Sequence, residues 1–548
     1  MWGRVLLDDE VGTLVAVAQG YPEIATRFDE WLTQPGYFLL AKPFAALLGP
    51  GELSIRLPAL LASLAGLVAL AWLGARLVCV RVGLLAALLL ALQPYSLFYA
   101  QMGRGYTLAA TLSTTSLLLM LALARGAGSG TGIAYVIARA LGVYTHLGAC
   151  GSGLAELAVV LCVARPRGAA ALRRALAWLA AGALVSGLLY LPLLADLLRF
   201  RESWSGDVGR FGWGFLPLVL DAYAGGRGVS IVVWLAAVIA GCGLAWRDSR
   251  VAGLCLVLWP LGVLGFYLLA GTAHYPWAFA RFLFPALPAF ALASAVALDG
   301  LARRALGSAG RAALPIGVAV FLGVTAFKLP AIVFGPRDTD WPAVIARLDA
   351  AGVRPRDAFV LPLRFNAFAP YLARDEAAPF TGTGPARLDS LLRNDGTSAL
   401  AGRRLAFLVD LVDFDASAWS DRFELERFGP TTLLLAHPGL PRDEASAVAA
   451  TRAVLEQVVA QREALPRGPI RADWVYWRID RRHEHAFVPE VDLAIDWALI
   501  ARLARAQGDV AAAARARALS AERRREIRLP GEVRASWWLL APRWDAAR

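Results

Sequence analysis

Apolar runs of about 20 residues, each long enough to cross a hydrocarbon core, recur along the first 334 residues and are separated by short polar joints. The pattern predicts spans near 54–75, 82–100, 106–124, 132–148, 150–164, 175–198, 229–246, 251–270, 280–300 and 312–334. Beyond residue 335 the pattern changes: charges become frequent, apolar runs shorten, and Pro and Gly punctuate them. Segments 358–363, 404–410 and 431–436 read as buried strands, and 341–351 has helical apolar spacing. From about residue 490 the chain turns helical and rich in Arg and Ala, and 503–510 resembles one helix–turn–helix unit of the tetratricopeptide kind. One such unit cannot form a solenoid, so it reads as a helical hairpin packed on the domain.

The fold class this implies is a polytopic α-helical membrane protein of about ten or eleven spans with a soluble C-terminal α/β domain. Residues 1–53 form a loop and juxtamembrane helices, 54–334 the transmembrane domain, 335–490 the α/β domain, and 491–548 the helical C-terminal segment.

Composition agrees with this division: 58% of 548 residues are hydrophobic and 18% charged. The net charge of +12 could suggest nucleic acid, but the basic residues cluster in alternate short loops, as the positive-inside rule describes. Arg76 and Arg81 mark one such loop, and Arg165, Arg167, Arg173 and Arg174 another. Arg247 with Arg250 and Arg303, Arg304 and Arg311 mark two more. Taken as cytoplasmic, they put the N-terminus and the segment after 334 outside. An N-terminus outside, with no apolar segment before it, leads to the expectation that a first span precedes the recorded start. The five cysteines lie in or beside apolar segments without metal-ligand spacing, so no disulfide framework is expected.

Four groups of residues could carry chemistry. Asp8, Asp9 and Glu10 place carboxylates before the first long apolar run. At an outer membrane face, such acids could deprotonate a hydroxyl or bind a divalent cation, with Asp9 the candidate ligand. They could equally be a helix N-terminus, which favours acidic residues. The second group is Tyr95–Tyr106, where Arg104 could clamp a phosphate or reach lipid headgroups, and the aromatics could form an interfacial belt. Arg139, His146 and Glu156 are polar groups in apolar segments, which face a protein interior or a cavity. The last is 274–288, with His274 in an outer loop and Arg281 a second candidate phosphate clamp. No phosphate-binding loop, dinucleotide-binding glycine pattern, His-Glu-x-x-His or serine elbow occurs.

In their order, these residues resemble the integral-membrane glycosyltransferases of the C superfamily, in the protein mannosyltransferase and aminoarabinose transferase-like group. The family's acidic pair is matched by Asp9-Glu10, and its His-Pro-Pro-Leu-like element by Gln34-Pro-Gly-Tyr37. Its Arg-Leu-Pro motif matches Arg56-Leu-Pro58, and Tyr-x-Gln-Glu-x-Arg-x-Tyr resembles Tyr99-Ala-Gln-Met-Gly-Arg-Gly-Tyr106. Tyr144-Thr-His146, the Arg281–Pro288 element and Asp340-Trp341 complete a resemblance covering roughly 5–370. Gln34, Gly36 and Met102 depart from the pattern, the last replacing a glutamate.

The resemblance implies transfer of a sugar from a polyprenyl-phosphate-linked donor to a hydroxyl-bearing acceptor (lipid, protein or envelope polymer) at the outer face of the plasma or inner membrane, with inversion. It implies Asp9 and Glu10 as catalytic residues, Asp9 being the base, with Arg104 and Arg281 on the donor phosphate. Gln34, Tyr106, His146 and His274 would contact substrate, and a divalent cation could take part. Two other readings stand beside it: a lipid-linked glycan flippase or transporter, and a catalytically inactive envelope scaffold.

Overall fold

The computed structural model describes residues 8–28, 33–205, 216–226, 228–269, 280–306, 310–326, 329, 341–354, 358–361, 396–410, 417–428, 431–464 and 489–526. The chain opens with three helices, α1 (Asp8–Ala18), α2 (Tyr21–Thr26) and α3 (Pro35–Leu48), followed by the long apolar α4 (Glu52–Leu77). Next come α5 (Val80–Leu92), α6 (Pro94–Ala100), α7 (Tyr106–Ala124) and α8 (Ser129–Thr145). A 3-10 turn, Leu147–Ser152, leads into α9 (Gly153–Val159), and α10 (Ala169–Tyr190), α11 (Leu194–Ser205) and α12 (Leu216–Ala224) follow. The helical part closes with α13 (Val229–Asp248), α14 (Arg250–Leu269), α15 (Leu287–Leu306) and α16 (Gly310–Thr325).

Seven helical stretches of the described residues are long and apolar enough to cross a membrane, and an eighth if α5 and α6 count as one broken span. The count falls short of the ten expected for identifiable reasons. The run 82–100 bends by 71° at Gln93-Pro94, because proline cannot continue the helix and disfavours it for the residue before. The run 132–148 forms a helix of only 17 residues, and in 312–334 the apolar helical stretch is Leu314–Thr325.

The helices expose apolar stripes and bury small residues. Leu61, Leu64, Val68 and Trp72 line one outward face of α4, and Ile133, Ile137 and Leu141 do the same on α8. That spacing of exposed apolar side chains suits contact with lipid. Inside, α4 and α7 approach closely because Gly66 faces Thr111, where a Cβ would lie 2.4 Å from the threonine hydroxyl oxygen. Thr111 and Thr107 donate to the carbonyls of Ala62 (2.7 Å) and Ala59 (3.1 Å) across the same interface. At one end of the bundle the arginine-rich joints gather. Arg81 and Arg303 pair with buried Asp299 (3.3 and 2.8 Å), Arg304 with Asp248 (2.8 Å), and Arg125 donates to the carbonyl of Arg76.

Past α17 (Trp341–Ala350) a four-stranded sheet runs in the order β1 (Phe359–Leu361), β2 (Ala406–Asp410), β4 (Thr431–Ala436), β3 (Phe423–Phe428). β1 pairs parallel to β2, and the other pairings are antiparallel. Strand alternation gives the sheet two apolar faces. Phe407, Val409, Leu434 and Ala436 pack with α18 (Glu444–Ala464) and α19 (Pro489–Ala506). Ala406, Leu408, Leu433 and Leu435 point the other way, into a cluster with Val344 and Leu348 of α17 that also contains Leu14, Val17, Tyr37 and Phe38 of α1 and α3.

The C-terminal segment is a hairpin of α19 and α20 (Val510–Glu526), turning at Gly508, whose φ of +74° suits glycine. Asp509 caps α20: its carboxylate accepts from the Ala512 amide (2.9 Å), which holds the carboxyl below its ordinary value. A depressed carboxyl contributes stability above its unfolded pKa of about 3.9 and loses it as pH falls through the folded value. Asp509→Ala is therefore expected to lower the melting temperature at pH 7, with the gap to wild type closing below about pH 4. Circular dichroism melts across that range check it.

Candidate active site

The site residues meet where α1, α3 and α4 pack against the loop 101–105. That loop follows α6, which ends at Ala100, and α7 begins at Tyr106 directly after it. An irregular backbone at this depth needs donors and acceptors from elsewhere. Glu10 supplies one: its Oε1 accepts from the Gly103 amide at 2.7 Å. Gln34 supplies another, its Oε1 accepting from the Gly105 amide at 2.8 Å. Thr13 completes the frame by donating to the Gly103 carbonyl at 2.6 Å.

Glu10 is also held by Arg56 in a two-pronged pair, Nε to Oε1 at 2.7 Å and Nη2 to Oε2 at 2.6 Å, with both side chains buried. Arg56 sits one turn inside α4, where an unpaired guanidinium would be costly, and Glu10 is the counter-charge. The carboxylate is thus committed to holding α1, α4 and the loop together. Tyr37 adds a further tie by donating to the carbonyl of Ile55.

Arg104 lies between those two anchored amides and is only 6% exposed. Its Nη2 donates weakly to Thr33 Oγ1 at 3.5 Å, and its guanidinium lies over the Phe38 ring, 5.6 Å from the centroid. Its Nε and Nη1 are buried and have no hydrogen-bond partner among the described residues. A charged planar group with two unspent N–H donors is a receptor for a two-oxygen anion such as a phosphate.

His146 stands close by. It ends α8 in extended backbone (φ −159°, ψ 116°), and its Nδ1 is hydrogen-bonded to the Tyr267 hydroxyl at 3.2 Å. The Tyr106 and Phe282 rings lie 5.4 and 6.2 Å from the imidazole, centroid to centroid. The Arg281 guanidinium lies over that same Phe282 ring, 5.6 Å from its centroid, which puts it on the His146 side of the site. Tyr95, Tyr99, Tyr106 and Phe284 form the aromatic wall beside them. Met102, where the resemblance has a glutamate, is buried in the same apolar cluster as these rings.

The structure therefore gathers Glu10, Gln34, Arg104, Tyr106, His146 and Arg281 at one end of the bundle. Asp9 is in the first turn of α1, but its side chain lies outside the described residues, as does His274. No group of three or more His, Cys, Asp or Glu side chains among the described residues could hold a metal ion. Glu10 is spent on Arg56 and Met102 carries no charge, so the described residues here do not fit a cation. Sequence reasoning missed the pairing of Arg56 with Glu10. The signal was there, since a charge inside an apolar span needs a partner.

No family model matches the sequence, and no match is found among curated proteins. Solved structures do match. The aminoarabinose transferase ArnT from Cupriavidus metallidurans, bound to undecaprenyl phosphate, is 15% identical over 80% of this chain and 95% of its own, with a TM-score of 0.50. Its apo state gives the same identity and coverage with a TM-score of 0.47. An Archaeoglobus fulgidus oligosaccharyltransferase in complex with Zn and sulfate is 12% identical over 64% of this chain and 52% of its own, at a TM-score of 0.40. The first of these carries the comparison, and what it establishes is fold. By fold, this chain, with its several apolar helices, is similar to the aminoarabinose transferase ArnT.

Proposed function

We propose that the chain is a membrane glycosyltransferase that moves a sugar from a polyprenyl-phosphate-linked donor to a hydroxyl-bearing acceptor at the outer face of the membrane. The observation that carries this reading is Arg104, a buried guanidinium with Nε and Nη1 unspent beside an aromatic wall. Phosphate oxygens of the donor fill those positions, and Arg281 adds the second positive charge. As the acceptor oxygen attacks the anomeric carbon, the bond from that carbon to the lipid phosphate breaks. Charge then builds on the departing phosphate, where the two arginines stabilise it in a site of low dielectric. Asp9 takes the acceptor's proton, and attack opposite the leaving group inverts the anomeric centre. Gln34, Tyr106, His146 and His274 contact substrate. Glu10 positions the loop, since its oxygens serve Arg56 and Gly103.

Buried Arg139 and Glu156 give transport no separate support. They are spent on each other and on neighbouring hydrogen bonds. The deciding experiment is sugar transfer from polyprenyl-phosphate donors in proteoliposomes, comparing wild type with Asp9→Asn. Loss of a general base costs about 10²–10⁴ in rate, and that is the expected drop with folding retained. Unchanged transfer would move the base away from Asp9, and no transfer from any donor would overturn the reading.

A further inference from the structure

The break between α8 and α9 gathers buried polar groups, among them Arg139, His146, Ser152 and Glu156. A helix that stops within a membrane leaves carbonyls without their usual amide donors, and nothing in the lipid replaces them. Here side chains supply donors to several of them. Tyr190 donates to the carbonyl of Val143 at 3.0 Å. Arg139 donates through Nη1 to the carbonyl of Ala149 (2.8 Å) and to Ser152 Oγ (2.6 Å), and through Nη2 to the carbonyl of Cys150 (2.7 Å). One guanidinium thus does for the 3-10 turn what successive backbone amides do inside a helix.

Its charge is matched locally. Glu156 Oε1 lies 3.6 Å from Arg139 Nη1 and accepts from Ser116 Oγ at 2.6 Å, while Oε2 accepts from the Tyr135 hydroxyl at 2.7 Å. Glycines let the turn sit tightly: a Cβ on Gly151 would lie 2.3 Å from the backbone of Val263, and one on Gly148 would lie 2.5 Å from the Tyr267 hydroxyl oxygen. His146 lies at the head of this turn, and the same Tyr267 hydroxyl holds its Nδ1.

We infer that Arg139 is a positioning residue for the outer-face site: its planar fork fixes the 147–152 turn and so sets the extended His146 against Tyr106 and Tyr267. The inference rests on the reading of His146 as a substrate contact. It assigns the Arg139–Glu156 pair to site geometry. A lysine could keep the charge opposite Glu156 but, as a single point, could not hold two carbonyls in a fixed plane.

The test uses full-length protein in lipid nanodiscs, labelled with ¹⁵N-histidine, in which the His146 signals among five histidines are identified by their loss in His146→Asn. Arg139→Lys is expected to fold, to shift the His146 imidazole signals, and to lower kcat about 100-fold with donor KM nearly unchanged. Glu156→Gln keeps the fork and loosens its counter-charge, so it should move the same signals by less. Folded Arg139→Lys with His146 signals and kcat at their wild-type values overturns the inference. If Arg139→Lys does not fold, Glu156→Gln decides: a shift supports the inference and unmoved signals overturn it. Absence of transfer in the wild type would sink the glycosyltransferase reading while leaving the resonance test intact.

Discussion

Arg104→Ala is expected to weaken polyprenyl-phosphate binding by about 100-fold or more while leaving the melting temperature unchanged or higher. The two halves of this result have one cause. The guanidinium is buried with Nε and Nη1 unspent, a state that costs the folded protein desolvation without return until an anion arrives. Alanine relieves that cost. It also removes charge-assisted hydrogen bonds to phosphate, whose truncation at buried charge pairs is worth about 2–5 kcal/mol, or roughly 30- to several-thousand-fold. Tryptophan-fluorescence titration with undecaprenyl phosphate, alongside thermal unfolding in the same detergent, reads both. A loss of binding accompanied by an equal loss of stability would mark Arg104 as a structural residue and remove the main support for the proposed donor site.

Glu10→Gln should behave in the opposite way, unfolding the protein more easily by about 3–5 kcal/mol, because it strands Arg56 in the bundle. The pair is buried on both sides, and Glu10 also serves the Gly103 amide. Glu10→Met combined with Arg56→Met should recover much of the stability, since a buried pair replaced by apolar groups of similar size is often neutral. Transfer should stay low in the double variant, because the Gly103 amide still lacks its acceptor and the Arg104 loop is no longer pinned. Denaturant or thermal unfolding and transfer assays on wild type and the two variants separate these effects. A double variant that is both stable and fully active would show that the loop needs no such anchor.

Much of the architecture was legible because hydropathy alone locates spans. The run 106–124 became a helix with those bounds, and 229–246 and 251–270 differ by a residue or two at their ends. The breaks were less legible. A hydropathy window averages across Gln93-Pro94, so the 71° bend is invisible to it although the proline announces a change of direction. No proline marks the stop at His146. That break depends on Arg139, Ser152 and Tyr190 meeting stray carbonyls, which local sequence cannot reveal. In the C-terminal part, Phe359–Leu361, Ala406–Asp410 and Thr431–Ala436 were readable as apolar runs, whereas Phe423–Phe428 was missed. Its Phe-Glu-Leu-Glu alternation is the period of a strand with one wet face, as its place at the sheet edge explains.

The site was legible as an ordered set of motifs and illegible as a set of roles. Glu10 and Arg56 are separated by 46 residues and looked like parts of two unrelated elements, though each is the other's condition for burial. Arg104 stood out by residue type, but its burial and its two unspent N–H groups belong to the packing and cannot be read from the local sequence.

The apolar cluster that joins the sheet's inner face to α1 and α3 also makes the two parts of the protein thermodynamically reciprocal. α1 carries Asp9 and Glu10, and its Leu14 and Val17 belong to the same cluster as Leu408 and Leu433 of the sheet. A molecule that bound at the sheet and shifted this packing would do work on α1. By linkage, any ligand that fixed α1 would then change the affinity of a ligand bound at the sheet by the same factor.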